Sequence, residues 1–173
     1  MSRLTRATRR GALLGLAGTL AGCGFHPLYA TDGSDDAILQ SIYVEIIANR
    51  NGQLLRQALQ QRLEGTDSTA EKRFTLTVYL AQTTGALGIQ TNSTVTRMRD
   101  VGKATWVLNH TDPPGAKVTN GAVRALDGYD VLNEQFFYQD LEEEQTQRRL
   151  ADALADQIVQ ALATYFRTHP KIG

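Results

Sequence analysis

The sole cysteine, Cys23, limits how this chain can be stabilised, because one thiol cannot form a disulfide within the chain. It follows Ala21 and Gly22, at the end of an apolar run (11–20) that four arginines precede. A basic segment, a short apolar segment and small residues before a cut are typical of a signal peptide. Leu20-Ala21-Gly22-Cys23 also resembles the bacterial lipobox, in which the cysteine is acylated and the chain is cleaved just before it. We therefore expect a lipidated mature chain that begins at Cys23 and is stabilised by packing alone.

Other interpretations of this segment fit the residues less well. A transmembrane helix needs about 20 apolar residues, and this run is interrupted at Gly22. A cysteine buried in a core helix would need no arginine cluster before it. The pair Arg9-Arg10 resembles a twin-arginine signal, which leaves the export route open. Residue 24 is Gly, whereas Asp would favour inner-membrane retention, so we expect a lipid anchor in the outer membrane, on its periplasmic side.

The charge of the mature chain argues against nucleic acid as a partner. The full sequence has 18 basic and 18 acidic residues. Removing residues 1–22 takes away four arginines and no acid, which leaves 14 basic and 18 acidic residues, a net charge of about −4. The remaining residues, roughly 150 in number, are enough for one domain with a buried core.

The N-terminal half of the mature chain predicts a tether, a strand and a helix. The pattern is strand-like from Ile38, with Ile42, Val44 and Ile46 alternating with their neighbours. A turn at 49–52 offers two asparagines as helix caps, and leucines at helical spacing continue to Gly65, which we expect to end the helix. The expected divisions are a signal peptide at 1–22, lipidated Cys23 and a flexible tether at 23–37, one α+β domain at 38–168 and a tail at 169–173.

Three further strands are predicted between residues 74 and 126. Apolar residues alternate from Phe74 to Leu80, and a glycine-containing bend follows at 85–88. A long second strand covers 94–109, in which Gly102 predicts a bulge and Ala104, Trp106 and Leu108 share one side. The turn Asp112-Pro113-Pro114-Gly115 then predicts a hairpin with residues 116–126 as the antiparallel partner.

The C-terminal segment predicts a long helix after residues 127–130. Its apolar stripe is Leu150, Leu154, Ile158, Leu162 and Tyr165 or Phe166, with alanines that allow close approach to a sheet. We expect the acids of 140–144 to lie in its first turn and complement the helix dipole. The order β-α-β-β-β-α predicts an α+β fold in which two helices pack on one face of a mostly antiparallel four-stranded sheet.

The sequence lacks the common signatures of catalysis. The three histidines (His26, His110 and His169) have no cysteine or carboxylate at metal-ligand spacing, so we expect solvated loop residues rather than ligands. No serine lies in a G-x-S-x-G or S-x-x-K motif, and no phosphate-binding or dinucleotide-binding glycine loop is present. We therefore predict no metal, no cofactor and no enzymatic activity.

Three basic residues of the long second strand are the candidate binding residues. Arg97, Arg99 and Lys103 share one strand face, although a break at Gly102 would turn Lys103 away. An exposed polar face with protective charges is one interpretation. The other is contact with an anion or a lipid phosphate on the face that the helices leave open.

Taken together, these features resemble the LptE family of lipopolysaccharide-assembly lipoproteins. The resemblance rests on the lipobox, the element order and two sequence stretches. The stretches are Cys23-Gly24-Phe25-His26-Pro27-Leu28-Tyr29 and the C-terminal run from Gly128-Tyr129-Asp130-Val131 through Arg148-Arg149-Leu150-Ala151 to Tyr165-Phe166.

The resemblance implies a partner rather than a substrate. Family members act as the plug and assembly factor inside the outer-membrane β-barrel of the lipopolysaccharide translocon, and contact lipopolysaccharide. Arg97, Arg99 and Lys103 are then candidate contacts for its phosphates. A pilotin-like chaperone of another outer-membrane complex, or an accessory lipoprotein of a lipid-transporting ABC system, would share the lipobox, and a lipid-anchored hydrolase is the enzymatic alternative.

Overall fold

A computed structural model describes residues 34–64, 70–89, 95–131 and 136–170. These residues form three helices and four strands in one α+β unit. In chain order the elements are α1 (Ser34–Gln40), β1 (Ile42–Val44), α2 (Arg50–Leu63), β2 (Phe74–Ile89), β3 (Val95–His110), β4 (Lys117–Asp130) and α3 (Phe136–Thr168). Within the described ranges, no helix is both long enough and apolar enough to cross a membrane.

The four strands form one sheet in the order β1-β2-β3-β4. β1 runs parallel to β2, and the connection between them contains α2. β2, β3 and β4 follow one another as antiparallel neighbours. The turn between β3 and β4 lies at 111–115, as predicted, and its Asp112–Pro113 peptide bond is cis. The α+β fold with a mostly antiparallel four-stranded sheet is thus confirmed.

Helices α2 and α3 cover one face of this sheet and bury its alternate side chains. The predicted stripe of α3 is confirmed, and its inward residue at the C-terminal end is Phe166, which is 3% exposed. The sheet side chains that pack against these helices come from alternate residues, since every second residue of a strand faces the same side. The core side chains of the sheet are Ile42, Val44, Phe74, Leu76, Val78, Ala104, Trp106 and Leu108.

The beginning of the domain differs from its prediction. A helix, α1, covers residues 34–40, where a tether and the start of a strand were predicted. The adjacent pair Ile38 and Leu39 packs against the core from this helix, which alternation along a strand would not allow. The strand that follows, β1, ends at Val44. The predicted inward position Ile46 is 76% exposed and its neighbour Ile47 is 2% exposed, so the alternation of buried and exposed residues does not continue past β1. Cys23 lies outside the described residues.

The start of α2 differs in a smaller way. Asn49 occupies the N-cap position, but its side chain makes no capping hydrogen bond. Its φ is 69° and its ψ is 165°, a backbone conformation that residues other than glycine rarely adopt. Gln53 instead donates a side-chain hydrogen bond to the carbonyl of Ile47. The helix ends at Leu63, and Gly65 lies outside the described residues.

Two predictions about glycines in the sheet were wrong. The segment 85–88 is part of strand β2, with its register shifts beside Gly88. At Gly102 the register is continuous on both sides, so there is no bulge. The reason for a glycine there is helix packing, because an added Cβ would lie 2.9 Å from Leu154 Cδ1 and 3.3 Å from Leu150 Cδ2.

The acidic residues near the start of α3 also lie elsewhere than predicted. The helix begins at Phe136, so residues 140–144 follow its first turn, which contains no acid. Glu144 instead accepts a hydrogen bond from Arg148 at 2.8 Å and forms an ion pair with Arg50 of α2 at 3.3 Å. Arg148, and then Arg50, hold the pKa of Glu144 below its usual value. Glu144 therefore serves side-chain pairing rather than the helix dipole.

Candidate functional site

The candidate site lies on the open face of the sheet, which we define as the face opposite α2 and α3. On β3 the even-numbered residues from Asp100 to Leu108 are buried beneath the helices. The odd-numbered residues therefore belong to the open face. Arg97, Arg99 and Lys103 are all exposed and all lie there, because the strand is continuous through Gly102. The structure thus brings the three predicted basic residues together on one surface.

A fourth basic residue, Arg124 on β4, joins this cluster and was missed in the sequence. It pairs directly with Lys103 in the β3–β4 register. Side chains opposite each other in antiparallel strands lie about 5 Å apart at Cβ, and like charges in such pairs are destabilising. The signal was available: Lys103 precedes Asp112 by as many residues as Arg124 follows Gly115. Counting outward from the turn therefore predicts this pair.

Acidic residues neutralise only one end of the cluster. Arg97 lies 3.7 Å from a carboxylate oxygen of Asp130, with both side chains more than half exposed. The other β4 acid, Asp127, faces the helices and pairs with Arg149 at 2.7 Å. Within the described ranges, no salt bridge involves Arg99, Lys103 or Arg124. Their three positive charges thus remain available to an anion from outside.

Exposed apolar side chains lie beside these charges. Leu126, which is 65% exposed, follows Arg124 on the same side of β4 and faces Val101. Tyr79, 67% exposed, lies on β2 opposite Thr105. Exposed leucine and tyrosine on a sheet face that packs against no described element leave apolar area in contact with water. The open face is therefore suited to a ligand that is both anionic and apolar.

The histidines do not form a competing site. His110 ends strand β3 and its ring lies 5.1 Å from that of Phe74, so it is not the solvated loop residue that was predicted. His169 stacks on Tyr165 at 4.4 Å, and His26 lies outside the described residues. In the part of the chain that the structure describes, no group of three or more His, Cys, Asp or Glu side chains is arranged to hold a metal ion.

Solved structures of lipoproteins share this fold. A Caulobacter crescentus protein assigned as a lipoprotein is 24% identical, with a TM-score of 0.62 over 77% of this chain and 96% of its own. The rare lipoprotein B of Shewanella oneidensis is 12% identical, with a TM-score of 0.55 over 75% of this chain and 98% of its own. A minor lipoprotein of Acinetobacter baumannii is 18% identical, with a TM-score of 0.55 over 71% and 90%.

Sequence comparison identifies the family. No curated protein sequence matches the chain at a significant level. The profile of the LptE family, described as lipopolysaccharide-assembly, matches residues 39–162, from α1 to the last turns of α3. This match covers most of the chain and confirms the family resemblance, while the lipobox and the stretch from Cys23 to Tyr29 precede the matched residues. The chain therefore belongs to the LptE family of lipopolysaccharide-assembly proteins.

Proposed function

We propose that this chain is a non-catalytic outer-membrane lipoprotein, acylated at Cys23, that acts as the plug and assembly factor of the lipopolysaccharide-translocon β-barrel. Membership of the LptE family supports the role in lipopolysaccharide assembly. The observation that carries the proposed contact with lipopolysaccharide is the open face. There Arg99, Lys103 and Arg124 have no acidic partner among the described residues.

The chemistry of lipopolysaccharide matches this face. Its phosphates are anions, and charge-assisted hydrogen bonds from arginine and lysine to phosphate are among the strongest that side chains make. Its acyl chains are apolar, and burying exposed apolar surface contributes about 25 cal/mol per Å². We assign Arg97, Arg99 and Lys103 to phosphate contact, with Arg124 added from the register, and Leu126 to contact with apolar groups.

The remainder of the molecule suits a position inside a water-filled barrel. Large outer-membrane barrels have polar interiors, and the mature chain is close to neutral for its size, at about −4. An acyl chain at Cys23 would hold the domain at the inner leaflet and raise its effective concentration near the barrel.

Charge reversal tests the lipid contact. In the full-length lipoprotein in detergent, the double variant Arg99→Glu/Lys103→Glu should bind lipopolysaccharide at least about tenfold more weakly, because hydrogen bonds to charged groups contribute about 1.5–3 kcal/mol each. The control is Arg148→Glu/Arg167→Glu on the helical layer, which changes the net charge equally and should retain binding. Equal losses in both variants would contradict the assignment to the open face.

Co-purification tests the partner. A C-terminal tag on the full-length lipoprotein should recover one large outer-membrane β-barrel protein at one-to-one stoichiometry. Recovery of a secretin would favour the pilotin-like alternative, and recovery of permease subunits would favour the ABC system. Each of these results, or recovery of the chain alone, would overturn the plug proposal while leaving the lipid test above to be judged independently.

A further inference from the structure

Strand β2 has a long outer edge that no described strand covers. β1 pairs only with residues 74–76, while β2 continues to Ile89. The last backbone hydrogen bond that this edge makes to a described residue runs from the N–H of Glu45 to the carbonyl of Leu76, at 3.0 Å. From Val78 to Leu87, the outward backbone groups of β2 have no backbone partner among the described residues. We call this segment the free edge.

The alternation of backbone directions along β2 shows which N–H and C=O groups point outward from the free edge. Because the Leu76 carbonyl points to β1, residues two, four, six and eight positions further along point the same way. Leu80, Gln82 and Thr84 therefore direct their N–H and C=O groups outward. The intervening residues bond to β3, so the outward groups remain available without any change in the sheet.

The opposite edge of the sheet, on β4, is protected by side chains. Tyr165 of α3 donates its hydroxyl to the carbonyl of Val118 at 3.1 Å, and Gln157 donates to the carbonyl of Arg124 at 3.3 Å. The carboxylate of Asp127 accepts from the N–H of Gly128 at 2.8 Å. β4 also carries charged side chains, which natural proteins place on edges to prevent pairing. Side chains therefore protect the β4 edge, whereas the free edge of β2 has no such protection among the described residues.

The free edge also lacks protective charges. Residues 74–96 contain no Asp, Glu, Lys or Arg, and no proline. Unprotected edges of this kind are templates for another strand. Two copies of the same uncharged strand can pair antiparallel about a two-fold axis without placing like charges opposite each other. Residues 83–87 are exposed, so a second copy meets no described side chain that would have to leave.

We propose that the free edge of β2 pairs antiparallel with the same edge of a second copy of this chain. Across the two-fold dimer the two sheets then become continuous in the strand order β4-β3-β2-β2-β3-β4, and each β1 stays beside the first residues of its own β2. The basic clusters lie on β3 and β4, one and two strands from the shared edge, and edge pairing covers neither face of the sheet, so both open faces remain accessible in the dimer. This inference concerns the lipoprotein outside the proposed one-to-one complex with the barrel, and it does not depend on the proposed role in lipopolysaccharide assembly.

Hydrogen exchange over a dilution series of the full-length lipoprotein in detergent tests the inference. As concentration rises, amides within 78–87 should become protected while those within 118–128 should not, and the protein mass in the detergent complex should double. Thr83→Lys adds a charge at an exposed position of the free edge, opposite the uncharged Val101 of β3, and should abolish both changes. The control Ala122→Lys adds the same charge at an exposed position of β4, opposite the uncharged Thr105 of β3, and should retain them.

Each alternative result overturns the dimer. Rapid exchange within 78–87 and a monomeric mass at every concentration would show that no copy binds there. Protection within 78–87 in a monomer at every concentration would show that another part of the same chain covers the edge. Equal dimerisation of both lysine variants would show that the copies share a micelle or associate through another surface.

Discussion

Gly121 illustrates how much depends on single residues in this sheet. It lies opposite Trp106 in the β3–β4 pair, and the indole ring occupies the place of a side chain at position 121. An added Cβ would lie 2.6 Å from Trp106 Cζ2 and 2.8 Å from Cε2. Trp106 is 4% exposed, and its indole N–H has no hydrogen-bond partner in the described part of the chain. The indole ring is therefore held by packing against the backbone of Gly121 and not by a hydrogen bond to a described residue.

We expect Gly121→Ala to destabilise the protein by about 1–3 kcal/mol, the usual cost of overpacking a core. The indole is rigid and buried, so it has no alternative position of equal quality. Urea unfolding of the full-length protein at neutral pH measures the change. Gly85→Ala is the control, because an added Cβ there meets nothing within 4 Å and should be neutral or slightly stabilising. Similar losses at both positions would show that backbone conformation, not the indole, requires Gly121.

Residue identities in the basic cluster were predictable only in part. Arg97, Arg99 and Lys103 were found because alternate residues of one strand share a face, which is a local property. Arg124 lies on another strand, and its position depends on the register across the turn. The role of Gly102 was also misread, since a glycine in a strand signals either a bulge or close approach of another element. Only the position of Leu154 distinguishes the two.

At the scale of elements, Tyr129 marks the place where β3, β4 and α3 meet. Its side chain is 6% exposed, close to Asp100 of β3 and Glu143 of α3. Burial is the main reason that the pKa of Tyr129 is raised, and the negative charges of Glu143 and Asp100 raise it further. Asp100 is itself 1% exposed and accepts a hydrogen bond from the hydroxyl of Thr84. The junction therefore favours a neutral tyrosine.

This environment predicts a loss of stability at alkaline pH. With a raised pKa in the folded state, Tyr129 keeps its proton where the unfolded chain begins to release it, above about pH 10. Its contribution to stability is present below that pH and is lost as the pH rises through the folded-state pKa. In Tyr129→Phe, the free energy of unfolding should therefore fall less steeply above pH 10 than in the wild type. Parallel curves from urea unfolding across this range would contradict the assignment.

Helix pairing was less accessible from sequence than the helices themselves. Arg62 of α2 contacts carboxylates one turn apart on α3, at 3.1 Å from Asp152 and 2.5 Å from Asp156. The hydrogen bond to Asp156 is the largest of the contributions that raise the pKa of Arg62. The spacing of Asp152 and Asp156 along a helix is visible in the sequence. Their partner is not, because α2 and α3 are separated by three strands along the chain.

At the scale of the whole molecule, the two faces of the sheet have different roles. One face is closed by α2 and α3 and holds the core. The other packs against no described helix and carries the basic cluster beside exposed apolar residues. A two-layer domain of this kind can present one sheet face to a ligand without disturbing its core. The proposed contact with lipopolysaccharide and the predicted lipid anchor then act at separate parts of the chain.

The lipid anchor expected at Cys23 can be tested by substitution of the cysteine. Cys23→Ser removes the thiol that we expect to be acylated, so the protein should leave the membrane fraction, since each buried methylene contributes about 0.8 kcal/mol of membrane affinity. Fractionation and intact mass measure both effects. The control Gly24→Asp should remain acylated but move to the inner membrane. An unchanged mass and location for Cys23→Ser would show that residue 23 carries no lipid.

By itself, the sequence determined the order of four strands and two of the three helices, the inward stripe of α3 and the lipobox from which an anchor is predicted. These are local properties, because strand and helix periodicities of 2 and 3.6 residues can be read within a short window. The tertiary structure alone showed Lys103 beside Arg124, the glycines beneath Leu154 and Trp106, and the protection of one sheet edge but not the other. Each depends on residues far apart in sequence, whose proximity is set by strand register and by the packing of helices on one face.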